Sequence, residues 1–209
     1  MIMLACHGRE DSIELAGGYL LEGPVVPKSL ENLKFNRHLT NFRPAEEQKR
    51  ALIAISKMPQ GMIYIARSGY EIIGYITFHY PDEYFRWSRH PKILELGGIE
   101  ISPNWRRKGI AEALLEEAFR NPIIEEFIVV TLEFCWHWDL EGSGLEIFEY
   151  QKMLERLFGL VSLKRRATDD PDITEHPANV LMVRFGKNVS TKDVLLFEDM
   201  LFEKKIRFH

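Results

Sequence analysis

The chain has 209 residues and a mass of 24.4 kDa, enough for one large domain that buries roughly 70% of its unfolded surface without disulfides or metals. Its 27 basic and 31 acidic residues leave a net charge of -4, which weighs against a general nucleic-acid or anionic-membrane binder. Aromatic residues make up 11%, which argues against a disordered chain, and two cysteines, Cys6 and Cys135, make no disulfide framework and fit a reducing cytoplasm.

The N-terminus, Met-Ile-Met-Leu-Ala-Cys-His, lacks the basic start and the apolar length of a signal peptide. The first dozen residues read as irregular and mobile. The residues Ser29 to Phe35 fit a short helix. Pro44 to Lys57 fits a better one, with Pro44 in the first turn, Glu46 and Glu47 at its positive end, and Ala51, Leu52 and Ile55 as an apolar stripe. Met62 to Arg67 and Ile72 to Tyr80 read as a β-hairpin turning at Gly69. A loop from Pro81 to Lys92 leads into a third strand, Ile93 to Ile101. A helix follows from about Gly109 to Arg120, with Ala111, Leu114, Leu115, Ala118 and Phe119 on one face. Phe127 to Cys135 reads as a buried central strand. The longest apolar stretch, Phe127 to Trp138, is broken by Thr131, Glu133 and His137, so no segment approaches the roughly 20 apolar residues of a membrane span. Leu145 to Phe158 is expected to be helical, Asn179 to Phe185 a last strand, and Val194, Phe197 and Leu201 part of a tail helix capped near Ser190. This order gives an α/β domain with a mixed sheet flanked by helices.

The stretch Leu94 to Ala111 carries the clearest chemistry. A strand enters a turn, and a helix opens at Gly109 directly after Arg106, Arg107 and Lys108. Unpaired helix-start N–H groups, the helix dipole and three cations make an anion site, and Gly109 lets a phosphate approach the backbone. The ligand expected is a phosphate or pyrophosphate. Neither a P-loop nor a GxGxxG fingerprint is present.

Arg-x-x-Gly-x-Ala at 106 to 111, between an apolar strand and an amphipathic helix after a hairpin, resembles the (Q/R)-x-x-G-x-(G/A) motif of the GNAT acetyltransferase superfamily. The blocks Asn36–Thr40, Thr77–Asp82, Trp136–Leu140, Ala167–Pro171 and His176–Asn179 resemble, more narrowly, the bacterial acetoin-utilization acetyltransferases of the AcuA family. The resemblance implies the GNAT acyl-CoA N-acyltransferase fold over 21–186, with 1–20 a flexible leader and 187–209 a tail carrying a short helix. It implies acetyl-CoA as acetyl donor, held through its pyrophosphate by Arg106, Arg107, Lys108, Gly109, Ile110 and Ala111. The pantetheine arm would pair with the backbone of Ile99, Glu100 and Ile101. It further implies a cytoplasmic protein-lysine acetyltransferase that acts on acetyl-CoA synthetase and switches it off, with no metal, nucleic acid or membrane involved.

Acetyl transfer to lysine needs a base, because a lysine with a pKa near 10.4 is charged at neutral pH. The superfamily's protein-lysine enzymes carry a glutamate at a spacing that falls on Glu95 here. Glu100 is the runner-up; it points to the opposite face by strand alternation unless a bulge intervenes. The leaving thiolate's acid, a tyrosine in many relatives, maps to Tyr150, although the expected Gly-Phe pair is Gly159-Leu160 here. Glu133, Cys135, His137 and Asp139 alternate and would share one face of a continuing strand. That pattern admits a metal site, a covalent acetyl-Cys135, or a substrate-pocket wall formed by His137 and Asp139, of which the last is favoured. Tyr84 to His90 form an aromatic and basic loop that either docks a protein substrate or folds onto its own domain. A small-amine acetyltransferase and a non-catalytic acyl-CoA sensor are the alternative functions.

Overall fold

The computed structural model describes residues 13–15 and 18–203. The rest of the expected leader, Cys6 included, and the end of the tail lie outside the described residues. The chain divides into two compact units. Among the described residues, one comprises those up to Thr77 plus Ile99–Ala118; the other comprises Phe78–Gly98 and those from Phe119 to Glu203.

In the first unit, β1 (Ile13–Leu15) and β2 (Tyr19–Glu22) form an antiparallel pair within and beside the stretch expected as leader. β2 pairs antiparallel with β4 (Met62–Ser68), with Leu20 opposite Arg67. Helix α1 (Pro27–Asn32) opens on Pro27, whose missing N–H costs nothing at a helix start. It is shorter than the Ser29–Phe35 helix expected: Leu33 is extended, and Lys34–Phe35 form β3, which pairs in parallel with β5 (Glu71–His79) at Lys34↔Glu71. Burial of Phe35 beside Tyr75, with ring centroids 6.0 Å apart, outweighs continuation of the helix. Helix α2 (Ala45–Ile55) has Pro44 as its N-cap and buries Leu52 against Leu30, Leu39, Ile63 and Ile65. The β4–β5 hairpin turns at Gly69-Tyr70 as expected. The end of β6 (Ile93–Ile101) and helix α3 (Ile110–Phe119) complete the unit, with Ile110, Leu114, Leu115 and Ala118 buried.

In the second unit, β6 pairs in parallel with β7 (Ile128–Glu133) from Ile93↔Ile128 to Glu95↔Val130. β7 pairs antiparallel with β9 (Val180–Phe185), which carries the edge strand β8 (Lys164–Arg166). The core joins Trp87, Ile93, Ile128, Val130, Leu181, Val183 and Phe197. Helices α4 (Leu140–Ser143), α5 (Ile147–Gly159), α6 (Pro171–Thr174) and α7 (Thr191–Met200) complete it. α7 is capped by Ser190, whose side chain accepts from Asp193 N, and it buries Phe197. The strand order β1-β2-β4-β5-β6-β7-β9-β8, with parallel and antiparallel neighbours, is the mixed sheet expected.

β7 ends two residues before the expected Cys135. Asn179 Oδ1 accepts from Cys135 N at 2.9 Å, and Cys135–His137 tighten into a 3-10 turn. The face that Glu133, Cys135, His137 and Asp139 were expected to share therefore does not form. The aromatic loop is mostly folded inward: Trp87 is fully buried and stacks on Phe197 with centroids 5.6 Å apart, and His90 Nε2 lies 3.0 Å from Asp193 O. Tyr84, 87% exposed, stands out from it.

Candidate active site

The candidate residues fall in both units, and each group is built within its own. In the first, Pro103–Trp105 form a 3-10 turn after β6, and the chain then bends through Arg107 (φ 61°) and Gly109 (φ 73°) into α3. The left-handed conformation suits glycine and costs an arginine about 1–2 kcal/mol. The first bonded helical amide is Ala113 N, which donates to Gly109 O at 3.0 Å. The N–H groups of Gly109, Ile110, Ala111 and Glu112 precede it and have no acceptor within the helix. A Cβ built on Gly109 meets nothing within 4 Å, so the space beside that residue is open. Lys108 Nζ sits 4.3 Å from the Trp105 ring centroid, and Arg106 Nε donates to Ile101 O at 3.2 Å. The turn thus offers backbone donors and cations together, the chemistry of a phosphate cradle. The Ile110 side chain is buried, which leaves only its amide available to a ligand.

Glu100, on the strand feeding this turn, is buried and committed. Its Oε2 accepts from Tyr75 Oη at 2.7 Å, and its Oε1 accepts from Asn41 N at 2.9 Å. Burial pushes its carboxyl up, against the opposing pull of these bonds and of Arg106, and burial beside Glu100 pushes the Tyr75 hydroxyl far up. Next to it, Asn36 Oδ1 accepts from Ser102 Oγ at 3.0 Å and from His38 N at 3.0 Å. The root of the turn is therefore fastened to the segment 36–41. Tyr75→Phe should cost about 1 kcal/mol in thermal melts. Glu100→Ala should cost at least about 2 kcal/mol, because it strands two buried donors.

In the second unit, Glu95 is half-buried at the last registered β6–β7 pair. Burial pushes its carboxyl above the ordinary carboxylate range; His79 pulls it down and Asp82 pushes it further up. Glu133, at the end of β7, accepts from Thr131 Oγ1 at 2.8 Å. Its carboxyl is also pushed up by burial, with the Thr131 and Trp138 donors opposing and the Glu95 charge adding to the rise. Trp138 Nε1 is buried and, among the described residues, lies near enough to Glu133 to favour its carboxylate without reaching the geometry of a full hydrogen bond. Tyr150 stacks on Trp138, with centroids 5.2 Å apart and planes 16° from parallel. Glu95, Glu133, Trp138 and Tyr150 thereby form one chain of neighbours.

Of the other expected residues, Asp139 caps α4 by accepting from Gly142 N at 2.8 Å. His137 packs edge-on against Phe134 and Trp136 at 6.2 Å and 6.0 Å. Burial pushes the Cys135 thiol up, which disfavours the thiolate that a covalent route needs. Among the described residues, no three His, Cys, Asp or Glu side chains are grouped to hold a metal, and no helix is long and apolar enough to cross a membrane.

The profile of the Acetyltransferase (GNAT) family matches residues 32–121, spanning the hairpin, β6, the turn through Gly109 and α3. Acetoin utilization protein AcuA of Bacillus licheniformis is 40% identical over 204 residues, covering 97% of both chains, and that of Bacillus subtilis is 43% identical over 188 residues, covering 89% of this chain and 90% of the relative. The chain belongs to the AcuA family of GNAT acetyltransferases. A crystal structure of an acetoin utilization protein from Exiguobacterium sibiricum superposes with a TM-score of 0.88 at 42% identity, covering 91% of this chain and 92% of that one. As an AcuA-family member, the chain is an acetyl-CoA-dependent N-acetyltransferase with the GNAT fold.

Three residues in the Glu95 neighbourhood, Glu133, His79 and Asp82, carry weight that the sequence alone does not give them. Glu133 was read only as part of an alternating face, and its coupling to Glu95 depends on burial that spacing does not encode. His79 and Asp82 lie in a block quoted for its resemblance alone; a titratable pair flanking a strand end was the available signal.

Proposed function

We propose that this AcuA-family enzyme is a protein-lysine N-acetyltransferase whose acceptor is acetyl-CoA synthetase, which it inactivates, in a pathway of acetoin or acetate use. Both named relatives are acetoin utilization proteins and match along nearly the whole chain, which supports the pathway. The observation that carries the catalytic reading is the state of Glu95. It is a half-buried carboxylate on the strand that runs into the phosphate turn, with its proton affinity raised toward the range useful for a general base.

In this reading Arg106, Arg107 and Lys108 neutralise the pyrophosphate of acetyl-CoA, and the amides of Gly109, Ile110 and Ala111 donate to it. The backbone of Ile99, Glu100 and Ile101 receives the pantetheine arm. Registered pairing with β7 stops at Glu95, so the β6 main chain beyond it has no partner in that ladder. Glu95 deprotonates the lysine ammonium, directly or through water. The neutral amine attacks the thioester carbonyl, and an N–H near Ile101 stabilises the oxyanion. Tyr150 returns a proton to the departing thiolate, and His137 and Asp139 wall the acceptor side.

The test is an acceptor panel read by thiol release from acetyl-CoA. Acetyl-CoA synthetase should turn over, and polyamines and aminoglycosides should not. Turnover of small amines alone would reassign the substrate class. Thermal stabilisation by acetyl-CoA without any turnover would make the chain a sensor.

A further inference from the structure

His79 ends β5 beside the strand that carries Glu95. Its Nδ1 lies 2.8 Å from Tyr80 O, so Nδ1 holds a proton and donates it to that carbonyl, and Nε2 is the nitrogen left to accept. The ring lies over Gly97: a Cβ built there would stand 2.2 Å from Nε2, 3.0 Å from Cδ2 and 3.1 Å from Cε1. Any side chain at position 97 would displace the imidazole. Glu95 and Gly97 are two apart on one strand, so the Glu95 carboxylate and the surface beneath the ring share a face. Gly97 is exposed and His79 half-buried, so the ring over Gly97 is within reach of water.

We propose that His79 is the proton exit for Glu95, taking on Nε2 the proton that Glu95 removes from the acceptor ammonium and passing it to solvent. The inference rests on Glu95 being the base. The ammonium N–H bond breaks as a Glu95 O–H bond forms. That proton then moves to Nε2, giving an imidazolium, and Nε2–H loses it to water while Nδ1–H stays on Tyr80 O. Each cycle returns Glu95 to carboxylate and His79 to neutral imidazole, and the net proton released by amide formation leaves by this route. The titratable groups facing Glu95 are His79 from β5, whose protonated form is the one that draws the Glu95 proton affinity down, Asp82 from the loop after it and Glu133 from β7. His79 alone among them has a base that is neutral when vacant, so it accepts a proton without adding negative charge to the group. It acts through Glu95 and does not touch the substrate.

The experiment uses His79→Ala, His79→Gln and Glu95→Gln in the full chain, with melting curves for each. His79→Ala should lose about tenfold to a hundredfold in kcat with KM for acetyl-CoA unchanged. Added imidazole should restore its rate in a saturable way, and His79→Gln, with no room for imidazole, should be slow and unrescued. A wild-type kcat in His79→Ala, or a loss that imidazole does not restore, overturns the proposal. If Glu95→Gln is itself fully active, the base assignment fails first. If Glu95→Gln is slow while His79→Ala is not, the relay alone is refuted.

Discussion

Glu95→Gln is expected to lower kcat by about 10² to 10⁴, the usual contribution of a positioned base and about 3–5 kcal/mol of barrier. The pH profile gives the sharper reading. The wild-type rate should rise through the pKa of Glu95, which burial and Asp82 hold above the ordinary carboxylate range. The variant should lack that limb and instead climb steadily as the lysine ammonium itself deprotonates. The deficit is therefore widest at and below the Glu95 titration and narrows as pH rises toward that of the lysine. Stability moves the other way. A raised folded pKa means that the native state binds more protons than the unfolded chain between the ordinary and raised values, so stability falls as pH rises through that window. Gln removes this penalty, and the variant should melt at or above the wild-type temperature at neutral pH. A slow enzyme that is at least as stable separates lost chemistry from lost fold.

Arg86→Ala is expected to produce the largest loss of stability. The Arg86 side chain is 9% exposed and that of Asp170 4%, with Nε 3.3 Å from Asp170 Oδ2. The same guanidinium reaches Asp169 Oδ1 at 2.6 Å and the carbonyls of Met200 at 3.2 Å and Asp169 at 3.4 Å. It thus fastens the loop before β6 to the 169–170 segment and to the end of α7. Removing it leaves the buried Asp170 carboxylate with the Asp172 N–H at 3.1 Å but without its counter-charge, at a cost of about 3 kcal/mol, the lower end of the range for a broken buried pair. For a chain of this size that is a fall in Tm of about 6–12 °C. The gap should narrow in acid. Arg86 holds the Asp169 carboxyl below its usual range, and that contribution is present above the unfolded pKa and lost as pH falls through the folded one. In the variant, protonation of Asp170 also relieves its burial cost. Pairing Arg86→Met with Asp170→Asn should recover part of the loss, which a purely steric role for Arg86 would not allow.

The strongly patterned elements were legible in the sequence. β6 occupies Ile93–Ile101 as read, because apolar residues bounded by a loop and by Pro103 leave little ambiguity. The turn after β6 was legible too: Pro103 ends the strand and a glycine opens the helix, and the chain does bend through Gly109 (φ 73°) into α3. Elements set by distant partners were not legible. β8 is Lys-Arg-Arg and has no apolar alternation; it is a strand because its backbone pairs with Leu181–Val183. β7 stops at Glu133 because a side chain 44 residues away takes the Cys135 amide. In the second unit, the tail helix reads from sequence as an appendage, yet Phe197 stacks on Trp87. The neighbours of Glu95 were missed because burial and charge coupling arise from packing, which residue spacing on one strand does not specify.

The most direct test of the central claim is mass spectrometry of acetyl-CoA synthetase after incubation with this enzyme and acetyl-CoA. The account predicts acetyl-lysine at a defined site, formed only when both are present, with synthetase activity falling in step and Glu95→Gln leaving the site largely unmodified. Acetylation no higher than the uncatalysed level, with enzyme that melts normally, would contradict it.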